Sequence, residues 1–213
     1  MASNMKSKKM QGSNQNDKID VAYHNNNKHS QHHRSNNRVQ GGENPLPQIN
    51  QKKFNYYLQE WNTNNINDSK SNNSSNGSIE SWDVSQVEDF SQFNKIITNK
   101  SEFNFDISKW NTSSAKNMDN MFKYCSHFNQ DLNSWNTKSL TSAHKMFYCC
   151  KYFRKPLSKW KMEKVKDTSY MFYNCIRFNS KLNKWDVSKV ENMKCMFKFC
   201  HSFNQPLDSW DVR

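Results

Sequence analysis

Four cysteines make the sharpest chemical suggestion in this sequence. Cys125, Cys150, Cys175 and Cys200 recur every 25 residues, and Cys149 and Cys195 complete a set of six. A ladder of thiols suits zinc, a run of disulfides or a redox relay. Zinc asks for tetrahedral groups of Cys and His, yet no CxxC or HxxxH pair occurs among these repeats. His127 follows Cys125 and His201 follows Cys200, but the ladder positions between them have no such neighbour. A disulfide needs Cα atoms within about 7 Å, whereas equivalent positions on stacked helices lie roughly 9–10 Å apart. The ladder therefore reads as small buried hydrophobes. Cys149 and Cys195, off the ladder, are the more accessible thiols, and neither a metal nor a cofactor is expected.

The carboxylates that follow tryptophan, Asp83, Asp186 and Asp211, are the next candidates. Strand spacing of about 4.8 Å would bring two of them together. Asn111, Asn136 and Lys161 fill the same position between, so only Asp186 and Asp211 are neighbours. No histidine stands beside them to complete an acid–base set. No catalytic residue is assigned, and the chain is expected not to be an enzyme. The N-terminal basic residues Lys6, Lys8, Lys9, Lys18, Arg34 and Arg38 suit phosphate contacts, but no aromatic residues are interleaved with them, as single-strand binders have. His24, His29, His32 and His33 form a tract that binds divalent metal weakly at best.

The elements that position these groups follow from composition and period. Hydrophobic residues make up 34% of 213, and the formal net charge is +12. Residues 1–53 hold nine Lys/Arg against three Asp/Glu, half of that net charge, and a single aromatic, Tyr23. So polar a segment cannot offset its ordering entropy, so it is expected to be disordered. No apolar run approaches the ~18 residues of a membrane span, and the start shows no apolar signal segment. With free thiols in addition, an intracellular, reducing setting is favoured over export. Four glycines leave no Gly-rich phosphate loop.

All seven tryptophans fall on one pattern: Trp61, Trp82, Trp110, Trp135, Trp160, Trp185 and Trp210. The last five are each 25 residues apart, the mark of a stacked repeat. Leu132, Leu157, Leu182 and Leu207 stand three before Trp, and Phe103, Phe128, Phe153, Phe178 and Phe203 seven before it. Met-Phe pairs at 121–122, 146–147, 171–172 and 196–197 hold the same register. Around Trp185 the alternation of apolar and polar residues predicts a short strand. Five to fifteen residues past Trp, the apolar positions trace one stripe of a helix. Ser85-Gln86-Val87-Glu88 and Ser188-Lys189-Val190-Glu191 read as capping boxes.

The expected fold is an α/β repeat, a strand–helix solenoid preceded by a disordered N-terminal tail. Its parts are the basic Asn/His-rich tail 1–53, a degenerate repeat with an Asn/Ser-rich linker at 54–81, and about five repeats over 82–213. The sequence ends at Trp210-Asp211-Val212-Arg213, inside a unit, so either a final strand is cap enough or something else covers that layer.

The motif FNxxLxxWDVS, followed by VxxMxxMF and Cys, is clearest in FNSKLNKWDVSKVENMKCMFKFCHSFNQPLDSWDV. It resembles the BspA-type leucine-rich repeat, over about Phe54 to Arg213. That resemblance implies a leucine-rich-repeat-like solenoid with a role in adhesion or protein recognition, and it brings no catalytic residues.

The function expected is therefore a non-enzymatic protein-binding scaffold that presents its concave strand face to a partner. With Trp turned inward, the residues beside it face out: Lys109, Asn111, Asn136, Lys159, Lys161, Lys184 and Asp186. The centre of that column is basic, so the partner is expected to be acidic there. The alternative is a nucleic-acid or anionic-surface binder that uses the basic tail and this basic patch.

Overall fold

A computed structural model describes residues 48–67 and 77–212. The expectations for the basic tail up to residue 47 and for His24, His29, His32 and His33 lie outside the described residues, as does much of the Asn/Ser-rich linker. Residues 48–53, expected to belong to the disordered tail, are ordered instead, with Ile49 buried and Asn50 bridged to Gln86.

The segment after each tryptophan was expected to be helical, and it is not. In an α-helix every N–H turns back to the carbonyl four residues earlier. Here Met121 N–H donates to the Met118 carbonyl at 3.2 Å, and Cys125 N–H to that of Phe122 at 2.9 Å, closing two successive β-turns. The third residue of each has positive φ, Asn120 at 60° and Tyr124 at 67°, as one class of tight turn requires. The alternate N–H groups then point along the stack. Those of Met118, Asn120, Phe122 and Tyr124 donate to the carbonyls of Ser142, His144, Met146 and Tyr148, all within 3.1 Å. Ala143, Lys145, Phe147 and Cys149 donate in the same way to the coil after.

No extended strand forms among the described residues either. Isolated parallel bridges run Asp89–Asn117–Ser142–Asp167–Asn192, one per coil, and another joins Asn50 to Gln86. The strand–helix solenoid is thus overturned: each repeat is a closed coil of turns, bonded to its neighbours by single bridges and forward-pointing amides. The presumed capping boxes go with it. The Ser85 and Ser188 amides donate to Asp83 and Asp186. Glu88 and Glu191 do not cap; they pair with Lys116 at 2.8 Å and Lys166 at 3.0 Å across coils, exposed contacts worth little.

Stacking the coils buries their apolar columns. Successive Trp rings from Trp82 to Trp210 lie 6.3–6.5 Å apart and within 8° of parallel. Each indole from Trp110 onward also donates its Nε1–H to a main-chain carbonyl of the coil before, Trp160 to Leu132 at 2.8 Å. Phe122, Phe147, Phe172 and Phe197 form a second stack at 5.5–5.7 Å. Two buried threonine hydroxyls are satisfied as well: Thr112 and Thr137 donate to the Asn136 and Lys161 carbonyls. Burying each large apolar side chain contributes roughly 1.5–3 kcal/mol, so repetition stabilises a chain with few apolar residues.

The stretch expected to be the first, degenerate repeat is helix α1, Gln51–Asn67. Phe54, Leu58 and Trp61 fall at helical spacing and are buried. Phe54 lies edge-on to Trp82, Phe90 and Trp110. Gln51 closes the exposed edge of the first coil: its Oε1 accepts from the Glu88 and Asp89 amides, and its Nε2 donates to the Asp89 carbonyl at 2.7 Å. The short helix α2, Phe93–Ile96, packs beside it. The N-terminal layer is therefore covered by a helix that caps polar edge and apolar face together.

A linear stack makes a mutational prediction. Trp160 has a Trp on both sides and is 2% exposed, while Trp210 has one such neighbour and is half-buried. Trp160→Ala is expected to cost about 3–5 kcal/mol and Trp210→Ala clearly less, measured by urea denaturation. Equal losses would contradict the stack.

Candidate functional site

The cysteine ladder lies inside the stack. Cys125, Cys150 and Cys175 are buried and Cys200 is partly so, all as free thiols. Three of the four have a hydrogen-bond partner: Cys150, Cys175 and Cys200 donate to the Phe122, Phe147 and Phe172 carbonyls at 2.7–3.0 Å. The premise of helix spacing, 9–10 Å between rungs, falls with the helices. The rungs stack at the coil spacing, and the sulfurs of Cys150, Cys175 and Cys200 are engaged by a carbonyl of the preceding coil. Burial pushes Cys125 up to about 12 and Cys200 up to about 11, and drives Cys150 and Cys175 well above the ordinary thiol value. A protonated, hydrogen-bonded thiol is neither a nucleophile nor a metal ligand. Cys149 and Cys195 are partly exposed and sit at positive φ.

The residues beside tryptophan all face solvent: Lys109, Asn111, Asn136, Lys159, Lys161, Lys184 and Asp186 are exposed. The structure divides them by role. Asn111, Asn136 and Asp186 accept from the amide two residues on, at 3.1–3.2 Å, fixing the turn after Trp. The lysines contribute charge: Lys109, Lys159 and Lys184 stand in one column, and Lys161 lies 4.0 Å from Glu163. The ground expected for a concave strand face, strands stacking closer than helices, falls because neither element forms in these coils. Hydrogen bonds from the Ser188 side chain and amide hold the Asp186 carboxyl below its usual range.

One Ser–His–Asp cluster escaped the sequence analysis. His144 Nδ1 lies 2.6 Å from Ser169 Oγ and 3.8 Å from Asp167 Oδ1. In a nucleophilic triad the acid and the nucleophile use opposite ring nitrogens; here both face Nδ1. Ser169 is 1% exposed, so no substrate reaches it. Asp119 meanwhile accepts from Ser142 Oγ and the His144 amide. The cluster tethers coils.

A second feature was also missed. Tyr148 and Tyr173 stack 4.7 Å apart and 1° from parallel, with Tyr124 and Phe199 edge-on at the two ends. Tyr170 lies 5.9 Å from Tyr173. Lys123 sits over Tyr124 and Tyr148, Lys145 over Tyr170, and Lys198 over Phe199, at 5.2–5.8 Å. The signal in the sequence was the pair of positions after each Met-Phe, Lys123-Tyr124, Tyr148-Cys149, Tyr173-Asn174 and Lys198-Phe199. They vary while their neighbours do not.

Comparison with known proteins gives one match. A family model described as "Mycoplasma protein of unknown function, DUF285" matches residues 48–92, 67–179 and 153–213. No curated protein and no solved structure matches the chain.

The thiols provide a direct check. With a thiol reagent at pH 8, Cys149 and Cys195 are expected to label first, and Cys125, Cys150 and Cys175 only as the stack opens. Fast labelling of all six would contradict the buried ladder. Unfolded thiols lose their protons from about pH 8.5, while the folded ladder keeps them. Its contribution to stability is therefore whole below that pH and is lost as pH rises toward about 12. The melting temperature should fall through that window.

Proposed function

We infer function from the premise that this chain belongs to the family described as Mycoplasma protein of unknown function, DUF285, a family of repeats. We propose that it is a non-enzymatic binding scaffold, whose partner is a protein acidic at the contact. The finer kinship with BspA-type repeats, and with it adhesion or protein recognition, is part of this proposal and rests on the FNxxLxxWDVS motif.

The observation that carries the reading is the contrast between inside and outside. Trp, Leu, Phe, Met and Cys repeat from coil to coil and are buried, while the exposed residues beside Trp change from coil to coil. A fixed core that displays a varied surface suits recognition. Lys159, Lys161 and Lys184 lie in two successive coils, whose Trp160 and Trp185 rings are 6.3 Å apart, and so close a stack concentrates their charge. Lys109 extends the same column.

Lys159→Glu with Lys161→Glu is expected to abolish capture of the protein partner from native lysate. Exposed substitutions stay within about 0.5 kcal/mol, so the melting temperature should move by no more than about a degree or two. Unchanged capture would remove this face.

A further inference from the structure

The strip of rings and lysines that follows each Met-Phe pair lies outside the buried core, although its rings touch from coil to coil. The core columns cover one another without it, and the same positions hold Cys149 and Asn174 in other coils. Tyr124 and Phe199 are 50% and 47% exposed. Both have positive φ, as does Tyr170, a conformation that suits Asn or Gly far better than an aromatic residue. Local backbone preference therefore does not explain the rings.

The charge around them is one-sided. Lys123, Lys145 and Lys198 have no carboxylate within ion-pair distance among the described residues. Asp119, one column away, is already engaged by Ser142 and His144. The cations rest instead over the rings. Along the stack axis the position after Met-Phe runs Lys123, Tyr148, Tyr173 and Lys198, and the one beside it Tyr124, Cys149, Asn174 and Phe199, so the strip carries its rings between a lysine at each end.

We infer that this strip binds single-stranded nucleic acid, with phosphates on the lysines and bases against the rings. An acidic protein would use the lysines and leave the rings without a role. An extended strand of nucleotides uses both, and a linear ligand matches a surface that repeats along a line. The inference is independent of the protein-binding face, since it shares no residue with it.

The test is fluorescence anisotropy with a labelled 20-mer of oligo(dT), on the full chain, across a potassium chloride series. Residues 1–53 are basic as well, so charge-driven binding alone supports nothing, and the ring variants decide. Tyr124→Ala with Phe199→Ala should weaken binding by about fivefold or more per ring, with the melting temperature recorded alongside. Tyr124→Leu with Phe199→Leu keeps apolar bulk and should show the same loss. Lys123→Gln with Lys198→Gln should lower the slope of log affinity on log salt by about 0.7 per lysine. Binding unaffected by either ring variant would overturn the inference. So would heparin or poly-glutamate competing as well as unlabelled oligo(dT), since that would mark a general polyanion surface.

Discussion

Everything in this structure depends on where alternate backbone N–H groups point. In the segment from Met118 to Tyr124, every second amide donates forward to the next coil, and the residues between close tight turns. A buried amide without a partner costs about as much as a lost hydrogen bond, so each coil needs its neighbour before its own backbone is satisfied. The turns require positive φ at fixed places, and eight non-glycine residues accept it, at two positions in each of four coils. Such conformations cost about 1–3 kcal/mol each and persist only where the surroundings impose them. Here the forward ladder imposes them.

The same constraint sets the side-chain chemistry. Coils held this closely bring identical residues into register, so Trp meets Trp and Phe meets Phe as near-parallel rings. Polar groups inside are spent on the neighbouring coil: indole N–H, threonine hydroxyl and cysteine thiol each meet a main-chain carbonyl. The groups with the strongest chemical look in the sequence are thus used for assembly. Variation is left to the outer columns, which is where both binding readings lie.

Much of this was legible from the residues. The 25-residue register, the core columns and the burial of Cys125, Cys150 and Cys175 followed from spacing and residue type, because identical layers must bury identical positions. Secondary structure was not legible. Apolar residues three or four apart, such as Ala115, Met118, Met121, Phe122 and Cys125, fit a helical stripe and a string of tight turns equally well. The sign of φ at Asn120 or Lys145, which separates the two, leaves no mark on hydrophobic pattern. Phe54, Leu58 and Trp61 deceived in the opposite sense: they matched the repeat register, yet a helix that caps the first coil puts them on its inner face. The rings at Tyr148 and Tyr173 were overlooked for the same reason, since on a helix they would not have stacked.

The most direct measurement is a scalar coupling across a hydrogen bond, from nuclear magnetic resonance on labelled protein. The coil stack predicts coupling from the amide nitrogen of Phe122 to the carbonyl carbon of Met146, its acceptor at 2.9 Å in the next coil. Phe147 should couple to Met171 in the same way. Coupling of Phe122 to the carbonyl of Met118 instead, four residues back along its own chain, would mean that the segment is a helix and would contradict the account.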